Sequence, residues 1–432
     1  MMNSLYIARS GLDASKYSVD VTSNNIANQN TEGYIKRVVN TSEINYANSN
    51  EVGSGVSFDG VTRTTSDYLY DKLISQNSLA SYYSQQDSVL SGLETTFSET
   101  DSAGLSTTLS NFFSSLETLR SSSSSLVNQN DFSTQAQTLV DNLKSLNDSI
   151  DETFSSTQKE LQTQVDSVNN ILKQIVSLND NIFKNGASSS NDLLDKRDSL
   201  EKELSNYANI EVNNDNGMYN LKVAGVSVIF NNTNLDEITI DGDFSDLNNL
   251  NTNLKVYNEN LNLTSGSLKS LKSQLTTSTS DISSYKQSLN DFAKAIVDYT
   301  SSNSSTPIFS GTDVDSLSFD KSKVSSLTSS DLDNLSNLQW SSSLTIGTTT
   351  KTSFSDFYQN LLSTVSSNVS TNSSKLDSQN SIVNSLQTSY DNLTKVDPDT
   401  EMINLMQYQS AYEANAKIIT AVDEMLQKLL AM

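Results

Sequence analysis

Apolar residues recur along this chain with two different periods, and the change between them divides it. Near the start, Leu5, Leu12, Val19 and Ile26 return every seven residues, and Ala8, Ser15 and Thr22 follow the first three at a spacing of three. This is a short coiled-coil face with a small-residue flank. Near the end, Met402, Leu405, Tyr412, Ala416, Ile419, Val422, Leu426 and Leu429 step by three, four or seven. Asp397-Pro398 supplies an N-cap and a first-turn proline there, and Asp399 and Glu401 suit the positive end of the helix dipole. Neither helix buries its stripe alone, and isolated helices are marginal in water. The spacing therefore predicts a terminal helix pair whose outer faces are completed by other copies or other proteins.

Between these ends the pattern is helical, then alternating, then helical again. Residues 34–64 mix valines with Gly53, Gly55 and Gly60 and predict irregular or extended structure. Helical spacing runs from Leu69 to Phe97 and from Leu105 to Leu119, and the serines at 121–125 predict a loop. The longest helix is expected over about 133–184, with Gly186 ending it, and another from Asn191 to about Tyr207. Ile210-Glu211-Val212, a turn cluster from Asn213 to Gly217, and Met218 to Val223 predict a hairpin. Val226 to Phe230, Ile238 to Ile240 and Leu254 to Tyr257 read as further short strands. One long helix is expected from Leu268 to Tyr299, a loop-rich stretch over 306–350 with a short helix near 330–338, and a last internal helix from Phe354 to Leu393. The predicted fold is mainly α: a long antiparallel helical bundle built from both halves of the chain, a terminal coiled-coil helix pair, and a small β insertion in the middle. The expected divisions are 1–64 with 395–432, 65–208 with 265–394, and 209–264.

Composition narrows the function. Hydrophobic residues make up 35% of the 432, below the ~45–50% of ordinary globular chains, which fits thin helical layers better than one thick core. The net charge of −24 excludes binding to nucleic acid phosphates and anionic lipid. There is no cysteine and no histidine, so thiolate chemistry and the commonest general base and metal ligand are missing. No phosphate-cradling loop or nucleophile elbow occurs, and Asp313-Val314-Asp315 is only a fragment of a calcium loop. No enzyme activity, cofactor or metal is expected. No apolar run reaches the length of a membrane span, and the first residues lack the basic region and apolar run of a cleaved signal peptide. Met402, Met406 and Met425 fit either a bundle core or contacts between subunits, where adaptable methionine suits imperfect packing. Asn24, Asn25 and Asn28, poor helix formers at a helix end, fit either fraying or hydrogen bonds across a subunit contact.

Two stretches carry a resemblance. Ser10-Gly11-Leu12 with Ser23-Asn24-Asn25-Ile26-Ala27-Asn28-Gln29-Asn30-Thr31-Glu32-Gly33-Tyr34 resembles the N-terminal signature of the bacterial flagellar axial proteins of rod, hook and hook-associated type. Glu401-Met402, Tyr408-Gln409 and Tyr412-Glu413-Ala414-Asn415-Ala416-Lys417 resemble their C-terminal signature. Inside the chain, Asn191 to Ser205 with its Leu-Leu-Asp-Lys-Arg-Asp core, Gly217-Met218-Tyr219, Gly266-Ser267-Leu268 and Pro307-Ile308-Phe309-Ser310-Gly311-Thr312 are similar to the hook-associated members. The resemblance implies a structural protein that forms a homo-oligomeric ring at the junction of hook and filament. It would polymerise through its terminal helices, between hook protein and a second hook–filament junction protein. It also implies type III export to the extracellular flagellum, with an export chaperone holding the C-terminal helix. The implied subunit interface takes Leu5, Leu12, Val19, Asn24, Asn25, Ile26, Asn28, Gly33 and Tyr34, with Met402, Leu405, Met406, Tyr408, Tyr412, Asn415, Ile419, Val422, Met425, Leu426 and Leu429. A hook or distal-rod subunit, or a secreted helical adhesin or effector using the same export route, are the alternatives. The small central insertion implies a reduced outer variable domain.

Overall fold

The computed structural model describes residues 2–44, 53–99, 104–186, 190–215, 218–234, 236–244 and 250–431. Helix α1 (Met2–Ala27) leads into a hairpin of β1 (Arg37–Glu43) and β2 (Val56–Arg63). Helices α2 (Asp67–Thr96), α3 (Leu105–Ser121), α4 (Leu126–Asn185) and α5 (Asn191–Tyr207) follow. The middle of the chain is β. Strands β3 (Ile210–Asp215), β4 (Met218–Val223), β5 (Val226–Phe230) and β6 (Thr233–Asn234) form an antiparallel meander. A second sheet holds β7 (Ile238–Asp243), β8 (Asn251–Val256) and β9 (Glu259–Asn260). The chain returns through α6 (Ser267–Gln274) and α7 (Asp281–Ser302). Two two-stranded sheets follow, β10 (Phe309–Ser310) with β11 (Ser318–Phe319) and β12 (Leu344–Ile346) with β13 (Thr349–Thr352), with α8 (Ser329–Asn337) between them in the chain. Helix α9 (Phe354–Thr394) runs back towards the hairpin and α10 (Pro398–Leu430) closes the chain. The fold is mainly α, with a bundle drawn from both halves and a small β insertion.

Helix α4 is the spine. Its 60 residues span roughly 90 Å at 1.5 Å per residue. Phe132, Leu139, Leu143, Ile150, Leu161, Val165, Val168, Leu172 and Ile175 face the core at three- and four-residue steps. Ser125 caps it, accepting from the Asn128 amide. The helix starts earlier than the expected 133 because its first turn presents Leu126 and Val127 to solvent. That turn carries no core-facing residue and so leaves no mark in the apolar period. In the core, Phe292 of α7 packs against Phe354 and Phe357 of α9 at 5.7 and 6.0 Å. Phe112 of α3 meets Phe132 at 5.5 Å. Such rings dominate core energetics because each buries a large apolar area.

The polar middle of α9 is explained by what it faces. The buried Asn372 amide donates to the Tyr83 carbonyl at 3.0 Å, and the buried Gln379 amide donates to the Gln76 carbonyl at 3.1 Å. Both acceptors lie on α2, so two amides seven residues apart join these helices where apolar residues would otherwise stand.

Within 34–64 the expected extended structure is a pair of antiparallel strands, Arg37 opposite Arg63 and Glu43 opposite Val56, with a register slip at Asn40/Thr41. One expectation needs correction. The single helix expected from Leu268 to Tyr299 is two helices. The hydroxyl run Thr276 to Ser280 interrupts it, and Ser280 caps α7 by accepting from the Ser283 amide at 3.0 Å. The break is held from outside. The Thr252 hydroxyl donates to the Leu275 carbonyl, and the Leu250 amide donates to the Thr277 hydroxyl at 2.7 Å. Partners from the β insertion thus satisfy groups that helix continuation would have used. Gly266, before α6, has φ 88°, and a Cβ there would stand 2.3 Å from the Tyr207 carbonyl oxygen, so the β insertion can return to the bundle only through a glycine. The turn cluster expected at Asn213 to Gly217 lies partly outside the described residues; β3 and β4 flank it with Asp215 opposite Met218.

Candidate functional site

Helices α1 and α10 lie antiparallel: Asn25 meets Glu401 at one end, and Gly11 faces Asn415 further along. Small and polar residues form the α1 side of the seam. Ala8, Ser15, Ser18, Thr22 and Asn25 are buried, whereas Leu5, Leu12, Val19 and Ile26 are half-buried beside them. Ser15 and Ser18 turn their hydroxyls back to the Gly11 and Ala14 carbonyls at 2.8 and 2.9 Å. A Cβ on Gly11 would stand 2.9 Å from the Asn415 side chain, so the approach is close. On α10 the inward row is Glu401, Leu405, Tyr408, Asn415, Ile419, Val422 and Leu426, of which Glu401 and Val422 are buried.

Asn25 is the hub of the lower end. Its amide donates to the Arg37 carbonyl (2.9 Å) and to Glu401 Oε2 (3.1 Å). Its oxygen accepts from the Tyr34 hydroxyl (2.9 Å) and the Arg37 amide (3.1 Å). Asn25 is 1% exposed, and its hydrogen-bonding groups are engaged within the chain. Asn28 bonds to Asn24; Asn24 and Gly33 stay at the surface, while Asn28 and Tyr34 are half-buried, Tyr34 under the Arg37 guanidinium. Asn25→Ala is expected to destabilise this corner by about 1–3 kcal/mol, because Glu401 and the Arg37 backbone lose their partner. Hydrogen exchange at the end of α1 and the start of α10 should quicken while α4 is unchanged.

The outward faces expose several large apolar side chains among charged ones. Met402, Met406, Tyr412, Met425 and Leu429 are exposed on α10, with Met406 at 57%, and Tyr6 of α1 is 64% exposed. Within this chain the three methionines are not core. Phe58 of the hairpin stacks on Tyr17 at 4.2 Å and is itself 39% exposed. Exposed apolar surface that is contiguous marks contact sites.

The hairpin is clamped to the bundle by charge. Arg37 pairs with Asp192 and, at 3.3 Å, with Asp195; Arg63 pairs with Asp195 at 2.9 Å and Asp198 at 2.6 Å. Deeper in the same helix, Glu201 lies 3.3 Å from Arg197 and accepts from the Tyr219 hydroxyl at 2.9 Å. The Tyr70 hydroxyl stands 3.0 Å from its other oxygen. Arg197 lies over the Tyr219 ring at 4.5 Å and donates to Asn179 at 3.0 Å. Helix α5 therefore joins the hairpin, α2, α4 and the β insertion. The sequence reading missed this clamp, although Asp192, Asp195 and Asp198 at three-residue spacing signalled an acidic side on α5.

Burial, with Asp198 nearby, pushes the Glu201 carboxyl up to about 7 against the pull of Arg197 and the two hydroxyls. The unfolded value is about 4.3. The folded chain thus holds this proton more tightly, and its stabilising contribution, complete below about pH 4.3, is lost as pH rises through about 7. Urea midpoints from pH 5 to 8 should carry a falling component of at most ~1.4 kcal/mol per pH unit, and Glu201→Gln should remove it. Among the described residues no cluster of acids could hold a metal and no helix is long and apolar enough to cross a membrane.

Comparison with known proteins locates this architecture. Residues 90–305 match the family described as flagellar hook-associated protein FlgK helical domain. The chain belongs to the FlgK family. The FlgK match takes in α3 to α7 and the whole β insertion. Residues 5–34 match the flagella basal body rod protein family, and 387–432 match the C-terminal family of the rod proteins FlgE, FlgF and FlgG; these cover α1 and α10. Flagellar hook-associated protein 1 of Bacillus subtilis (strain 168) is 28% identical over 180 residues, 40% of this chain and 36% of that protein. Its counterpart in Escherichia coli (strain K12) is 25% identical over 234 residues, 52% of this chain and 43% of that protein. Each match thus spans less than half of the relative's length. The solved structure of the flagellar hook junction protein FlgK from Burkholderia pseudomallei aligns with a TM-score of 0.47 and 23% identity, over 55% of this chain and 44% of that one.

Proposed function

We propose that the chain is a subunit of the junction between flagellar hook and filament, assembling through α1 and α10 into a homo-oligomeric ring. The observation that carries this reading is the helix pair itself. Its inward seam is satisfied within the chain, while Met402, Met406, Met425, Leu429 and Tyr6 are left facing outward. In this reading 1–64 with 395–432 form the axial unit, 65–208 with 265–394 the outer shell, and 209–264 a surface insertion. Hook protein meets the ring on one side and the second junction protein on the other. Leu5, Leu12, Val19, Asn24, Ile26, Asn28 and Gly33 contribute the α1 side of the contact. Before export through the flagellar channel, the apolar face of residues 397–432 is held by a chaperone, in the manner of an amphipathic helix in a groove. The assembled protein is extracellular.

Gold-labelled antibody against the chain, applied to intact flagella, tests the location. Label confined to the boundary of hook and filament is expected. Label along the hook or on the rod would move the chain to another axial position.

A further inference from the structure

The β insertion carries an open strand edge beside α4. In the sheet of β7, β8 and β9, β7 is an outer strand. The Leu261 amide donates to the Leu254 carbonyl at 2.8 Å, so Leu254 turns its backbone towards β9. Leu254 stands opposite Ile240. By the alternation of an antiparallel ladder, Ile238, Ile240 and Gly242 then turn their N–H and C=O groups to the open side. At Ile238 that side is closed. The buried Asn169 of α4 accepts from the Ile238 amide at 2.8 Å and donates to its carbonyl at 2.9 Å. These are the two bonds that a neighbouring strand makes.

Past Ile238 the strand and the helix part. A groove of about 420 Å³ opens between Ile240 and Phe244 on one wall and Ser155, Gln158, Lys159 and Gln162 on the other. Positions 155, 158, 162 and 169 follow each other at steps of three, four and seven, so the helix wall continues the face that carries Asn169. Ile240 and Phe244 are half-buried, and Gly242 is exposed. A strand laid in this groove pairs with Ile240 and Gly242 on one side. On its other side it meets the Gln158 amide and the Ser155 hydroxyl, in the way that Ile238 meets Asn169.

The two faces of such a strand meet different chemistry. Its inner residues lie beside Ile240 and Phe244. Its outer residues lie beside Asp241 and Asp243, which are exposed and stand opposite Asn253 and Asn251. Opposite charges side by side on a sheet are favourable and like charges are not. Lys159 on the helix wall disfavours a cation on the inner side, so charge also fixes which face of the strand turns in. A second copy is a poor source. Its own outer strand β3 carries Glu211 and Asp215 and would set acid beside acid.

We infer that the open edge of β7 and the facing row on α4 form a docking slot for one extended segment of a partner protein, apolar on its inner side and basic on its outer side, added to β7 by strand pairing. Backbone bonds to Ile240 and Gly242 hold the segment, and Asp241 with Asp243 select its charge. The slot is separate from the terminal helix pair and does not depend on assembly through it.

A fluorescein-labelled Val-Lys-Val-Lys-Val peptide, titrated with the purified full chain and followed by anisotropy, tests this. Saturable binding is expected. Methylation of the valine nitrogens removes the donors to β7 and is expected to weaken binding by about tenfold or more. Ile240→Pro is expected to weaken it as much. The Ile240 N–H faces the open side, where an edge strand tolerates proline, so thermal unfolding should stay near that of the parent. A Val-Glu-Val-Glu-Val peptide is expected to bind about tenfold less tightly. Absence of saturable binding overturns the inference and leaves the charges around β7 as protection of an edge. Binding that ignores both the methylation and Ile240→Pro is attraction to an acidic surface and overturns it as well. Equal binding of the glutamate peptide overturns the basic partner. The methylated peptide is read on the parent chain, so the test holds even if Ile240→Pro fails to fold.

Discussion

A strain carrying Met402→Asp, Met406→Asp and Met425→Asp is expected to be non-motile, with the chain missing from its flagella. The three side chains are each about half exposed in the isolated chain, so their replacement leaves the internal seam of Glu401, Leu405, Tyr408 and Val422 intact. Thermal unfolding of the purified variant should stay within a few degrees of the parent. In the assembly the same positions are covered. Completing the burial of a methionine is worth roughly 1 kcal/mol or more, and a carboxylate put there meets a desolvation cost of several kcal/mol. Three such sites amount to a loss of incorporation by two or more orders of magnitude, read by immunoblot of purified flagella against the culture medium. If the variant incorporates like the parent, the outward face of α10 is not a contact.

The second large effect concerns the clamp on α5. Arg63→Met is expected to destabilise the fold by about 3–5 kcal/mol, the range for removing one partner of a buried pair. The Arg63 side chain, 12% exposed, stands between Asp195 and Asp198. Without it, two carboxylates that already crowd each other lose their main counter-charge; burial raises the Asp198 carboxyl even with Arg63 present. The methionine keeps most of the apolar stem, so the loss reports charge and hydrogen bonding more than volume. Urea denaturation measures the size. Limited proteolysis should show the hairpin at β1 and β2 cut well before α4, because the clamp is what ties the axial segment to the bundle.

Sequence pattern revealed elements wherever local signals and burial coincide. The N-cap and proline at Asp397-Pro398 mark the start of α10, where Asp397 accepts from the Asp399 amide at 3.1 Å. Helix α5 runs between the expected Asn191 and Tyr207, where the apolar steps of the helix begin and end. Where a neighbour far along the chain decides, the pattern misleads. The break between α6 and α7 depends on Leu250 and Thr252, more than twenty residues earlier. The seam of α1 was visible in its period, but the weight falls on Ala8, Ser15 and Thr22 and not on the larger leucines, because α10 approaches closely at Gly11. The clamp of Arg37 and Arg63 on Asp192, Asp195 and Asp198 joins charges more than a hundred residues apart, and an acidic helix face reads in sequence as a solvated one.

The most direct measurement is deletion of the gene, followed by negative-stain electron microscopy of the cells and assay of the medium for flagellin. Bare hooks with flagellin lost to the medium are the expected result. Cells that lack hooks, or that carry normal filaments, would contradict a place at the hook–filament junction.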